Sequence, residues 1–437
     1  MKKRPSLREI LKRAHEGKKI SVDGWISEIT TKNGEILWMI RNGSDSIQAV
    51  IRKKDMEPEQ YIRANEINKE SVVNIRGELF PVNREYRVRV KDFHVLARSE
   101  EFPEDEGLEY RHLQVRRPKE RAIMRITDTV LNTMREYLKN EGFIEVLPPT
   151  ITQMAGEDPA TLFMTQYFGY PSYLSQTAQP YLEALITSVG KVWSLTPNYR
   201  REKFKTKRHL SEFWTLEVEE AFADINDMMC LTENLFSETV RTVADVNYKE
   251  LEMLRRDVSK LNVKPPFRRI TYSEAVNKLK SLSKEEKRIE TEWGKPFSAE
   301  EESILSKLYD APFFVTKFPV KTRPFHMRPD PEDPKLTLSY DLFAPIAGEV
   351  VTGSERIIDY NLLLKRINEY ELPLSVYKLY LELRKYGLPP HAGFGVGMER
   401  LLMNITGIWT NEELNNTSCQ LSGGFYWLKE EGILAGG

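Results

Sequence analysis

Between residue 19 and about residue 96, apolar and polar positions alternate with a period of two in the segments ISVDGWISEI, GEILWMIRN, SIQAVIRK, SVVNIRGELF and YRVRVKDFHVLA. That period sends successive side chains to opposite faces of an extended chain, so each segment predicts a half-buried strand. Asn33-Gly34 and Asn42-Gly43 are residue pairs that favour tight hairpins between strands. A polar stretch at 57–69, predicted helical, interrupts the series. Five strands and one helix predict a small barrel of the oligonucleotide-binding type, which offers a strand face and loops to single-stranded nucleic acid. The acidic, proline-containing stretch 100–107 reads as part of a hinge. Beyond it the period changes: Ile123, Met124, Ile126, Val130, Leu131, Met134, Tyr137 and Leu138 recur at helical spacing over 121–140. The section 248–307 is charged and broken by prolines, and only amphipathic helices are legible there. The expected organisation is a barrel at 1–99, a hinge at 100–119 and a larger domain at 120–437.

Composition adds constraints. The 437 residues carry 64 Lys plus Arg against 65 Asp plus Glu, so a polyanionic partner would have to meet a local patch. Residues 1–98 hold 21 Lys plus Arg against 14 Asp plus Glu, which places that patch on the predicted barrel. Cys230 and Cys419 are the only cysteines, too few for a disulfide framework or a cysteine-rich zinc site. No apolar run approaches the roughly 18 residues of a membrane span. A soluble, cytoplasmic protein with no membrane partner is expected.

The densest chemistry lies at 198–220, NYRREKFKTKRHLSEFWTLEVEE. Alternating segments flank a basic, turn-like centre, which predicts two antiparallel strands joined by a long loop. Its arginines and lysines suit phosphates, and arginine's planar fork suits them best. Its carboxylates suit ammonium groups, amides or magnesium. With the segment before it, SYLSQTAQPYLEALITSVGKVWSLTP, this stretch resembles the second signature motif of class II aminoacyl-tRNA synthetases, in the subclass that activates aspartate, asparagine and lysine. GFGVGMER at 393–400 resembles the third motif of that class, and GFIEVLPPTI at 142–151 resembles the first, which builds a dimer interface. Three motifs in the expected order make the resemblance specific. It implies an α+β protein: an N-terminal OB-fold barrel that binds the anticodon, and an antiparallel catalytic sheet of six or seven strands flanked by helices. It also implies a homodimer.

The implied reaction is attack of an amino-acid carboxylate on the α-phosphorus of ATP, loss of pyrophosphate, and transfer of the aminoacyl group to tRNA. Such a displacement depends on positioning and charge neutralisation. By resemblance, Arg200 bridges the α-phosphate and the substrate carboxylate, and Glu202 lies beside the ATP or the amino acid. Arg208 and His209, with Leu210 following, hold the outer phosphates, and Phe213 stacks under adenine. Arg400 covers the other face of the base, while Gly393, Gly395 and Gly397 allow close approach. Glu349 is the expected Mg2+ ligand, with Thr352 as a lesser one. A spacing of three does not put two strand residues on one face, so a bulge or turn is predicted between them.

Arg356 falls where the subclass places an arginine for the substrate's side-chain oxygen, Gln179 lies in the amino-acid site, and Glu157 aligns with a carboxylate that captures the ammonium group. Aspartate enzymes read QSPQLYK where this chain reads QTAQPYL, ending at Leu182. Losing that lysine, with Glu202 available as an acceptor, points to asparagine and tRNA(Asn). The same motifs also fit an aspartyl enzyme, an aspartate-ammonia ligase making free asparagine, or a non-catalytic RNA-binding protein. In the barrel, Trp38, Arg41 and Gln48 are the expected tRNA contacts, although the family's usual aromatic position is Leu37 here. Trp38 substitutes for it only if the strand register shifts by one.

Overall fold

In the computed structural model, residues 6–43, 45–83, 85–103, 110–156, 159–201, 210–283 and 291–408 are described. The chain divides into two compact units, Met1–Asp105 and Glu106–Gly437.

In the first unit, a capped helix α1 (Leu7–Lys12) precedes strands β1 (Lys19–Lys32), β2 (Glu35–Asn42) and β3 (Asp45–Arg52). Helix α2 (Pro58–Asn65) then leads to β4 (Val72–Val82) and β5 (Glu85–Ala97). The strands close in the order β1-β2-β3-β5-β4, so the predicted barrel is present with its helix between β3 and β4. Alternation decides its interior: Ile20, Val22, Ile26, Ile36, Trp38, Ile40, Val73 and Ile75 fill the core, while their strand neighbours face outward.

The second unit opens with a short helix α3 (Arg111–Gln114) and the long α4 (Pro118–Asn140), which starts with proline where an N–H would be unpaired anyway. Of its periodic residues, Ile123, Ile126, Val130, Met134 and Leu138 are buried, and Met124 is exposed. There follow β6 (Ile144–Glu145), β7 (Ile151–Thr152), β8 (Met164–Tyr167), β9 (Tyr170–Leu174), α5 (Gln179–Val189), β10 (Lys191–Tyr199) and β11 (Glu212–Ala221). Helices α6 (Ile225–Val246) and α7 (Tyr248–Met253), strand β12 (Arg268–Thr271), and helices α8 (Tyr272–Ser283) and α9 (Ala299–Ser306) come next. The unit ends with β13 (Phe313–Thr316), β14 (Ser339–Ala344), β15 (Gly348–Glu355), α10 (Tyr360–Glu369), α11 (Lys378–Leu383), β16 (His391–Gly397) and α12 (Met398–Thr406).

The large sheet has eight strands in the order β12-β13-β14-β15-β16-β11-β10-β6. It exceeds the expected six or seven, and both outermost pairs, β12–β13 and β10–β6, are parallel rather than antiparallel. Its edge strands are short, and β12 lies inside the charged stretch where only helices were legible. The predicted charged hairpin is present as β10 and β11, paired from Lys191↔Glu220 to Tyr199↔Glu212. Pro197 is tolerated in β10 because β6 pairs only with Val192 and Trp193, so the missing N–H breaks no ladder. One face of the sheet packs on α4, α6 and α12 through Leu216, Val218, Phe394 and Val396. The residues between these four line the other face.

Candidate active site

Strand β16 reads Gly-Phe-Gly-Val-Gly, so its apolar residues enter the core and its glycines share the opposite face. Glu219 and Ser354 flank Gly393, and Glu217 and Thr352 flank Gly395, across the paired strands. A floor without side chains therefore lies between two polar rows. A Cβ on Gly393 would stand 2.1 Å from Glu219 Oε2 and 2.3 Å from the Val218 carbonyl oxygen, whereas one on Gly395 would meet Thr215 at an ordinary 3.5 Å.

Above this floor is a cavity of about 360 Å³. Gln179, Arg200, Leu210, Phe213, Glu349, Thr352, Arg356, Gly397 and Arg400, all expected from sequence, line it together. Leu182 does not: it is fully buried and packs with Ala178, Ile186 and Val192 behind α5. Its assignment to the amino-acid site is corrected, because the α5 face that carries Leu182 is the core face. Glu157, Glu202, Arg208 and His209 lie outside the described residues.

At one end the Arg200 guanidinium lies 5.4 Å from the centre of the Phe213 ring. Arg400 Nη1 donates to the Glu349 carbonyl oxygen at 2.8 Å and stands 3.5 Å from Glu349 Oε1, tying α12 to β15. Glu399, the residue before it, accepts from the Trp214 N–H at 3.0 Å, and burial raises its carboxyl to about 7. Thr352 Oγ1 lies 2.9 Å from Glu349 Oε1, and the predicted bulge explains why the two share a face. In the β14–β15 pairing, Leu342 opposes Val351 but Phe343 opposes Glu349, so Val350 is the extra residue.

The same hydroxyl is 2.8 Å from Asp341 Oδ1, and Arg323 pairs with the other oxygen of Asp341. One hydroxyl proton cannot serve both carboxylates. Burial raises Asp341 from 3.8 to about 6, helped by the neighbouring Glu349 charge. Burial acts on Glu349 too, but Arg400 and Arg323 outweigh it and hold the group below its ordinary 4.5. Asp341 was missed from sequence; a lone carboxylate inside the buried strand SYDLFA was the available signal.

At the other end, Arg356 donates from Nε and Nη2 to both oxygens of Glu219, each at 3.0 Å, and from Nη1 to Ser354 Oγ at 2.8 Å. Burial and the nearby Glu183 raise Glu219 above its ordinary 4.5 despite this partner. His326 lines the cavity, and burial beside Arg356 pushes it down to about 3, so its ring is neutral at physiological pH. Glu217 accepts from Thr177 Oγ1 at 2.5 Å, the Ala178 N–H at 3.0 Å and Asn198 Nδ2 at 3.0 Å, which fixes the loop leading into α5.

The barrel corrects two further expectations. Trp38 is fully buried and meets Phe93 edge to face at 5.0 Å, so it is a core residue and not a tRNA contact. Strand β2 pairs without slippage against β3, with Leu37 opposite Val50 and Trp38 opposite Ala49, so Trp38 stays inward. Arg41 is buried too: Nη2 pairs with Glu70 Oε2 at 2.6 Å and its guanidinium lies 5.0 Å from the Trp25 ring centre. Its charge is committed to Glu70. Gln48 sits half-buried opposite Met39, with its Oε1 lacking a hydrogen-bond partner.

Residues 103–411 match the family described as tRNA synthetases class II (D, K and N), and residues 20–96 match the OB-fold nucleic acid binding domain. The asparagine–tRNA ligase of Pyrococcus furiosus is 42% identical over 403 residues, covering 89% of this chain and 91% of its own length. That of Koribacter versatilis is 37% identical over 411 residues, covering 90% and 93%. The crystal structure of asparaginyl-tRNA synthetase from Pyrococcus horikoshii complexed with asparaginyl-adenylate superimposes with a TM-score of 0.88 at 39% sequence identity, covering 93% of this chain and 96% of that one. A family match over more than half of the chain, with relatives this similar along nearly their whole length, places it plainly: the chain belongs to the class II tRNA synthetases of the D, K and N group.

Proposed function

We propose that this chain is an asparagine–tRNA ligase acting in the cytoplasm, activating asparagine with ATP and passing the asparaginyl group to the 3′ end of tRNA(Asn). One observation carries the choice of amino acid: Arg356 gives Nε and Nη2 to Glu219 and Nη1 to Ser354, so its guanidinium is already matched by a carboxylate at that end of the cavity. A carboxamide complements such a surface; a carboxylate does not. Relatives about 40% identical are asparagine–tRNA ligases, which supports the same reading.

In the first step the asparagine carboxylate attacks the α-phosphorus and pyrophosphate leaves; in the second, a terminal ribose hydroxyl of tRNA attacks the carbonyl carbon and AMP leaves. Arg200 steadies the carboxylate and α-phosphate, and Phe213 and Arg400 enclose the adenine. Gln179 lines the amino-acid end of the cavity, and the family resemblance assigns Glu157 to the amino group, Glu202 to the ATP or the amino acid, and Arg208, His209 and Leu210 to the outer phosphates. Glu349 and Thr352, with Asp341, form a set of hard oxygen donors that suits Mg2+, and two carboxylates sharing one hydroxyl call for a cation. Bound there with ATP, Mg2+ would neutralise part of the triphosphate charge.

The barrel supplies the tRNA-binding face, with Gln48 on its outer side. Leu147, Phe168 and Tyr170 project apolar surface from the first-motif region and the β8–β9 hairpin, which suits a homodimer contact. Among the described residues no helix is long and apolar enough to cross a membrane. Charging of unfractionated tRNA with labelled asparagine tests the whole reading. Label should pass to RNA from asparagine and not from aspartate. ATP use with aspartate and ammonia, and unlabelled RNA, would replace it with synthesis of free asparagine.

A further inference from the structure

Behind the amino-acid end of the cavity lies a buried group of charges that the two steps above do not use. Glu183, on α5, is fully buried. Its Oε1 accepts from Gln179 Nε2 at 2.7 Å and from the Tyr380 hydroxyl at 2.6 Å. Its Oε2 meets Arg384 Nη2 at 2.5 Å and lies 3.1 Å from His391 Nε2. Burial opposes ionisation of Glu183, yet Arg384 and His391 outweigh it and hold the carboxylate well below the usual range. With Glu219 and Arg356 the group holds two carboxylates and two guanidiniums, and the His391 ring lies against both carboxylates, its Nε2 3.1 Å from Glu183 and 3.9 Å from Glu219. Glu183, Glu219 and His391 also place ligand atoms within 4.8 Å of one another. A metal ion is not required there, because each carboxylate already holds an arginine.

Two consequences reach the cavity. A carboxylate only accepts, so Gln179 must turn its amide nitrogen to Glu183, and its carbonyl oxygen is the polar atom left for the cavity it lines. Each guanidinium is also engaged by a carboxylate, so a substrate carboxylate meets no unengaged guanidinium there. Asparagine and aspartate have nearly the same shape, so charge and donor pattern must separate them.

We propose that Glu183 is a positioning residue that sets amino-acid selectivity, neutralising Arg384 and fixing Gln179 as an acceptor so that the cavity takes a carboxamide and rejects a carboxylate. This rests on asparagine being the substrate. Removing one negative charge from this buried set leaves Arg384 without its carboxylate and makes the site more positive, which attracts a carboxylate.

The test is amino-acid-dependent pyrophosphate exchange by the full-length protein, comparing kcat/KM for asparagine and aspartate. In Glu183→Gln the asparagine-to-aspartate ratio should fall by about tenfold or more, through a lower aspartate KM, with the ATP KM unchanged. The double variant Glu183→Gln/Arg384→Gln removes one charge of each sign and should return the ratio to within about threefold of the parent. Equal losses with both amino acids in folded Glu183→Gln would show a merely structural role and overturn the proposal. If that variant does not fold, Arg384→Gln, which makes the site more negative, should disfavour aspartate further; an unchanged ratio there overturns the proposal equally. A parent protein that exchanges with aspartate and not asparagine would overturn the substrate reading itself, which separates the two failures.

Discussion

Replacing Gly393 with alanine tests the geometry of the cavity floor. The new methyl group would stand 2.1 Å from Glu219 Oε2 and 2.3 Å from the Val218 carbonyl oxygen. A carbon–oxygen contact needs roughly 3.3 Å, so both partners must retreat by about 1 Å. Val218 cannot do so alone, since its strand is paired with β16 through Phe394. Glu219 can retreat only by breaking its two-point contact with the buried Arg356. Overpacking costs about 1–3 kcal/mol, and disrupting a buried ion pair about 3–5 kcal/mol. Partial relaxation shares these costs, so a net loss of about 3 kcal/mol or more is expected. Thermal unfolding followed by circular dichroism should show Tm lowered by several degrees, and the asparagine KM should rise with it. Gly395→Ala is the control: its methyl meets Thr215 Cγ2 at 3.5 Å, so Tm should hold while substrate binding weakens. A Gly393→Ala protein with the parent's Tm and asparagine KM would refute the reasoning.

Leu182→Ala removes a fully buried side chain from an apolar cluster, so stability should drop by about 2–5 kcal/mol in denaturant unfolding; the ratio of asparagine to aspartate exchange, measured below the new Tm, should not change. Glu349→Gln should raise the Mg2+ concentration needed for half-maximal pyrophosphate exchange by about tenfold, and an unchanged requirement would remove Glu349 from the metal site. Asp341, raised from 3.8 to about 6, and Glu399, raised from 4.5 to about 7, bind more protons folded than unfolded. Each therefore adds stability that is full below its unfolded value and lost as pH rises through its folded value. Between pH 4 and 7 the Tm of metal-free Asp341→Asn should fall less than the parent's, and parallel curves would contradict this.

Much of the site was legible because its chemistry is local in sequence. Alternating glycines in β16 announced a bare floor, and the spacing of Glu349 and Thr352 demanded the bulge found at Val350. What sequence could not decide was which face a residue takes once elements pack. Leu182 and Glu183 are neighbours on α5, yet the first enters the core and the second turns toward Gln179, its i−4 partner on the same helix face. That spacing was the missed signal. Trp38 shows the same limit, since one position along β2 separates the barrel interior from its outer surface. Arg384 and His391 were invisible because their common partner, Glu183, is some 200 positions away in the chain.

The central claim, that this cavity activates asparagine, is tested most directly by ATP–pyrophosphate exchange with asparagine, aspartate and lysine supplied one at a time. The account predicts exchange with asparagine and little with the other two; exchange led by aspartate or lysine, or none with any of the three, would contradict it.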